Sequence, residues 1–259
     1  MLLLLRPSIV FPFFLFAALV GVGVAGARGA HERFTTANER IDADCRAYRS
    51  AHPNANVCRD DPYALRVVPL ANEQLKKLEI ARKQASAGDA KASAATIRGV
   101  LEVASRLDDH GTAIGTLLAA KLVDGALDIL EQHRALFDPN VRIRMTASIR
   151  LRGPEHPLEG TRLATLYRLA HDPLADRGPI GEALLADAML QDDAIYAEMD
   201  RAAAAGDEKR CNRAAAGRSG FGASGIAAVL CKPMSKLPKT QERIQRMTAD
   251  AAREMSWMP

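Results

Sequence analysis

Two short clusters in this chain put a histidine beside a carboxylate, Asp108-Asp109-His110 and Glu155-His156. An imidazole next to a carboxylate can pass protons at neutral pH, so Asp109 with His110, or Glu155 with His156, are the candidate acid/base groups of a hydrolase. Loops between rigid elements can aim such groups into a cleft. Near helix ends the same residue types also cap free backbone groups or meet the helix dipole, which is the structural reading of both clusters. None of the six histidines falls in HExxH or forms an i, i+4 pair on a predicted helix, and neither Ser219 nor Ser224 sits in GxSxG. The zinc-protease and nucleophile-elbow patterns are therefore missing.

Cysteine supplies the second kind of chemistry. Cys45, Cys58, Cys211 and Cys231 form no CxxC. An even count in an exported chain reads as two disulfides, and closeness in sequence favours Cys45 with Cys58 and Cys211 with Cys231. A zinc site on Cys45, His52 and Cys58 is the alternative, but the spacing fits no common finger and a fourth ligand is not evident. No metal or cofactor is expected.

Basic residues supply the third. Val141 to Arg152 alternates apolar and polar residues, which on a strand would set Arg142, Arg144, Arg150 and Arg152 in one ridge able to hold phosphate or carboxylate. Asp138-Pro139 just upstream is a helix-start pair, and on a helix the four arginines would scatter. Helix is the preferred reading, with a minor β-strand at 141–152 as the alternative. Two matches to GxGxxG, Gly21 to Gly26 and Gly220 to Gly225, lack the strand-turn-helix context that binds a dinucleotide. The acidic stretch Asp187, Asp192, Asp193, Glu198 and Asp200 lacks the ligand order of a calcium loop and reads as a solvated helix face.

The elements that must position these groups are helical. Four of the seven phenylalanines lie in the first 16 residues, so the body is poor in aromatics and its core must come from Ala and Leu, both strong helix formers. The expected fold is all-α: an irregular bundle or short α-solenoid of helical hairpins behind an N-terminal hydrophobic helix. The scarcity of aromatic faces also argues against nucleic-acid binding by base stacking. A net charge of +4 and a pI near 9.0 suit anionic surfaces, although the 35 basic and 31 acidic residues are interspersed as on an ordinary solvated surface.

From Asn72 onward, Leu75, Leu78, Ala81 and Ala85 recur at helical spacing, Gly88-Asp89 breaks the run, and Ile97, Val100, Leu101, Ala104 and Leu107 continue it. This hairpin resembles a tetratricopeptide unit, but it lacks the repeat's Trp, Tyr and terminal Pro and does not recur at that period, so no family is assigned. Thr112 is positioned to cap a third helix. Tyr63 to Leu70 reads as an extended linker because Pro69 disfavours a helical residue before it. Gly153-Pro154-Glu155-His156-Pro157 divides the chain, and the last helix, after Pro238, carries a stripe of Ile244, Met247, Ala251, Met255 and Met258.

Ser8 to Ala27 runs without a charge. At helical rise it spans about 30 Å, enough for a bilayer core, while Ala25-Gly26-Ala27 offers a signal-peptidase site. Anchor and cleaved leader both send the body out of the cytosol, to the periplasm or beyond, or leave it tethered to the membrane through residues 8–27. The expected organisation is a signal peptide or anchor at 1–27, a polar helix with a stapled turn and linker at 28–70, a hairpin domain at 71–152, and a C-terminal helical region at 153–259. These features predict a non-enzymatic envelope module that binds another envelope protein or an anionic surface, with the hydrolase built on His110 or on Glu155 and His156 as the alternative.

Overall fold

The computed structural model describes residues 10–53, 55, 57–58, 64–149, 151, 156, 158–216 and 230–257, with backbone alone at 10–25 and 64–66. Among them every regular element is helical: α1 Val10–Ala51, α2 Ala64–Ser86, α3 Ala90–Asp109, α4 Ala113–Gln132, α5 Pro139–Ala147, α6 Glu159–Ala170, α7 Pro179–Ala204, α8 Glu208–Ala215 and α9 Leu237–Ser256. Short 3-10 turns at Arg134–Leu136 and Pro173–Arg177 precede α5 and α7. The fold is all-α, an irregular bundle. No strand forms over 141–149, because Asp138 accepts the Asn140 amide at 2.7 Å and Pro139 opens a helix that needs no partner strand.

Two three-helix groups meet where the turn between α3 and α4 touches α6 and α1. In the first, α2, α3 and α4 pack together, and α9 closes the unit against α4 and α5. Gly88, with φ +82, supplies the left-handed turn between α2 and α3, and the Asp89 carboxylate accepts the Ala92 amide at 2.9 Å to start α3. Ser93 then ties the hairpin by donating to the Ala81 carbonyl at 2.9 Å. Leu78, Ile97, Val100, Leu122, Leu127 and Leu130 fill the core between these helices. The last helix docks by Ile244, Met247 and Ala251 as its periodicity predicts, but Met255 is exposed and Met258 lies outside the described residues.

In the second unit α1 runs antiparallel to α6 and parallel to α7. Asn38 donates to the Ala170 carbonyl at 3.3 Å, while His31 meets Glu182 and Arg40 meets Asp193 at 3.0 and 3.5 Å. Phe34, Ile41, Tyr48, Leu163, Leu166, Leu185 and Met189 form its core. A third apolar cluster, with Met199, Ala202, Cys211, Cys231 and Met234, joins the C-terminal half of α7 to α8 and to the short helical segment at 230–234.

Both expected cysteine pairs form. Cys45 joins Cys58 across 13 residues and Cys211 joins Cys231 across 20, with Cα separations of 6.0 and 5.5 Å. That pairing removes Cys45 and Cys58 as thiolate ligands for zinc. The linker expected up to Leu70 is instead the start of α2, with Pro69 inside the helix. So near the N-terminal end, proline costs a single backbone hydrogen bond, and burial of Val67 and Ala71 on the adjoining core offsets it. The uncharged segment 8–27 lies mostly outside what can be described beyond its backbone; α1 continues as helix from Val10. Among the described residues no helix is long and apolar enough to cross a membrane.

Candidate functional site

The structure sets the turn that holds His110 against the start of α6, close in sequence to His156. Asp108 and Asp109 end α3, His110 to Thr112 form the turn to α4, and that turn lies against the first turn of α6, where Gly160 is four residues beyond His156. Thr161 of α6 accepts the Ala113 amide at 2.8 Å, and Tyr48 of α1 donates to the Gly111 carbonyl at 3.5 Å. The contact is backbone on backbone: a Cβ on Gly160 would stand 1.7 Å from the Gly111 oxygen. Gly111 itself takes φ +72 to make the turn. Asp108 is fully buried, Asp109 and His110 are half-buried, and Glu155 lies outside the described residues.

One pairing of imidazole and carboxylate here was not foreseen as a pair. Asp200 of α7 directs Oδ2 at His156 Nδ1, 3.0 Å away, while Oδ1 accepts the Leu158 amide at 2.7 Å. The Asp200 side chain is 10% exposed and that of His156 is 68% exposed. One carboxylate thus fixes both the entry to α6 and one ring nitrogen of a surface imidazole, an arrangement that can hold a histidine in one tautomer. The acidic stretch predicted as a solvated face is therefore divided. Asp200 and Asp192 are buried, Asp193 pairs with Arg162 at 2.5 Å and Arg40 at 3.5 Å, and Glu198 pairs with Arg201 and Arg210 at 2.9 and 2.6 Å. Burial raises the Asp192 pKa, and burial likewise raises that of Tyr196, whose hydroxyl accepts from Thr165 at 3.4 Å. Continuation of α7 through Ala204 is what turned these carboxylates inward; the heptad-like recurrence of Leu185, Asp192, Tyr196 and Met199 was the available signal.

Among the described residues the arginine ridge does not form, because Arg142 and Arg144 lie on a helix. On α5, Arg142 turns inward, 4% exposed, and pairs with Glu254 of α9, which also takes Arg134. Burial, and then the neighbouring Arg134, lower the Arg142 pKa. Arg144 points to solvent and donates to its own helix at the Asn140 carbonyl, 3.3 Å away. Arg150 and Arg152 lie outside the described residues. A second ionic hub pins α9 to α4: Arg243 meets Glu131, Asp128 and Asp124 at 2.6, 2.7 and 3.8 Å. Among the described residues no three His, Cys, Asp or Glu side chains gather as metal ligands would.

Concave surface occurs elsewhere. Between α3 and the start of α5 runs a groove of about 460 Å³, floored by Ala94, Leu136, Phe137 and Val141 and edged by Lys91 and Arg98. Asp138 and Val141 also line the next depression, which carries Ile143 and Arg144 of α5 and Met255 of α9.

No family model, curated protein or solved structure matches this chain.

Proposed function

We propose that this protein is an exported, disulfide-stapled helical module that binds another protein of the cell envelope. The observation that carries this reading is the groove between α3 and α5, an apolar floor with an open length and a basic edge. The two disulfides support an oxidising compartment for the folded body, since such bonds persist outside the cytosol. Within that compartment the body is periplasmic or extracellular, either released by cleavage near Ala27 or tethered through residues 8–27; N-terminal sequencing of the membrane and soluble fractions separates the two.

A photo-crosslinking side chain placed at the exposed Ala95 on the groove's wall tests the module in intact cells. The expected result is one discrete adduct with a single envelope protein. A protein that remains uncrosslinked, or that yields only a smear of unrelated adducts, overturns the reading. The hydrolase reading keeps one specific support, the 3.0 Å pairing of His156 with Asp200. Under it, His156→Ala abolishes a turnover activity while leaving the crosslink intact.

A further inference from the structure

Resting on the reading of this chain as a binding module, we infer that the groove between α3 and α5 takes an acidic, amphipathic helical segment of the partner. The argument starts from charge. Lys91 and Arg98 are exposed on one wall of the groove, and among the described residues neither has a carboxylate within ion-pair distance, while most other arginines near α9 and α7 are paired. The one carboxylate in the lining, Asp138, is already engaged as the cap of α5 through the Asn140 amide at 2.7 Å. The groove lining thus carries two cations against one carboxylate, and its cationic edge on α3 is set apart from Asp138 at the start of α5.

Spacing gives the register. Lys91 and Arg98 stand seven residues apart, two helical turns, so their stems leave α3 about 10 Å apart on the same face. A helix lying along the groove repeats with the same rise, and two of its own acidic residues seven apart meet both cations at once. Between those points the small side chains of Ala94 and Ala95 let a partner helix come close, and the half-buried Leu136 and Val141 offer it apolar surface. A bilayer would answer the same charges. Its surface is flat on this scale, however, and would meet the exposed Lys91 and Arg98 without reaching the half-buried Leu136 and Val141 on the floor. A peptide segment fills both parts.

The test uses the full oxidised chain and a display library of random peptides of about 14 residues, a length that covers the groove as helix. The expected outcome is enrichment of peptides with Asp or Glu seven residues apart flanking Leu, Ile or Phe. Their binding weakens roughly tenfold in the double reversal Lys91→Glu/Arg98→Glu, since each exposed charge pair contributes modestly. It also weakens as salt is raised from about 0.05 to 0.5 M. Because both residues are exposed on α3, the reversal variant keeps its fold, which its unchanged urea midpoint verifies. The inference is overturned if no peptide is enriched, if enriched peptides bind the reversal variant equally well, or if vesicles of anionic phospholipid bind the chain through Lys91 and Arg98 more tightly than any peptide. An Ala95 crosslink in cells that survives the charge reversal unchanged would retain the binding module and remove only the acidic-helix partner.

Discussion

The carboxylate of Asp200 accepts the amide of Leu158 at 2.7 Å, so α7 sets the point at which α6 begins. Leu158 is itself fully buried, and its N–H has no access to water if the acceptor is removed. Asp200→Ala is expected to lower stability by about 1–3 kcal/mol, the cost of a buried unsatisfied donor. His156→Ala, which removes only the exposed partner, changes stability by less than about 1 kcal/mol. Urea unfolding of the two variants beside the native chain checks the contrast; equal losses would mean that the imidazole, not the cap, is the structural element.

Gly160 and Gly99 make opposite predictions from the same substitution. At Gly160 an added methyl meets the Gly111 carbonyl, which is backbone and cannot swing aside, so Gly160→Ala lowers stability by about 3 kcal/mol or more. At Gly99, inside α3, a Cβ meets nothing within 4 Å. Gly99→Ala should therefore raise stability by about 0.5–1 kcal/mol, through helix propensity alone. Thermal melts of both variants settle the pair.

Arg243 gathers three carboxylates of α4 on one guanidinium, and its removal leaves like charges along one face. Arg243→Ala is expected to cost about 1–2 kcal/mol at pH 7, limited by water screening on the exposed side of Glu131. The hydrogen bond from Arg243 lowers the Glu131 pKa from 4.5, so this carboxylate stabilises the fold above that value and loses its contribution as pH falls through the lowered one. Asp124 has the opposite sign, because burial raises its pKa and protonation favours the folded state. The gap between native chain and variant should therefore narrow between pH 7 and pH 3. Denaturation at the two pH values would reveal a gap that stays constant if the hub acts by packing rather than by charge.

The Cys211–Cys231 bond closes a loop of 20 residues between α8 and the helical segment at 230–234. Replacing both cysteines with alanine is expected to lower stability by about 3 kcal/mol, by freeing the unfolded chain. In protein taken directly from cells, thiol-reactive reagents should label none of the four cysteines until a reductant is added. Mass spectrometry after alkylation reads this, and ready labelling of native material would remove the case for an oxidising compartment.

The regular elements were legible where periodicity and caps agreed. Leu78 to Ala85, Ile97 to Leu107 and Ile244 to Ala251 named the buried faces of α2, α3 and α9, and Asp89, Thr112 and Asp138 named three helix starts. At Val141 to Arg152 the two signals conflicted, and the local cap prevailed over alternation. Pro69 was misleading because a proline's cost depends on its distance from the helix start, which α2 sets further upstream than Asn72. The pairing of His156 with Asp200 was out of reach for a different reason. It depends on how α6 folds back on α7, a tertiary relation across 44 residues that no local spacing encodes. The groove was likewise invisible, since its walls come from helices separated by all of α4.

The parallel run of α1 beside α7 has a consequence for how the chain assembles. His31 must wait for Glu182, 151 residues later, and Asn38 for Ala170, 132 residues later, whereas Ser93 finds Ala81 only 12 residues away. Distant closures are entropically slower than near ones. The middle of the polypeptide therefore has a head start, and the first long helix waits for its partners α6 and α7, the earlier of which ends at Ala170 of 259 residues.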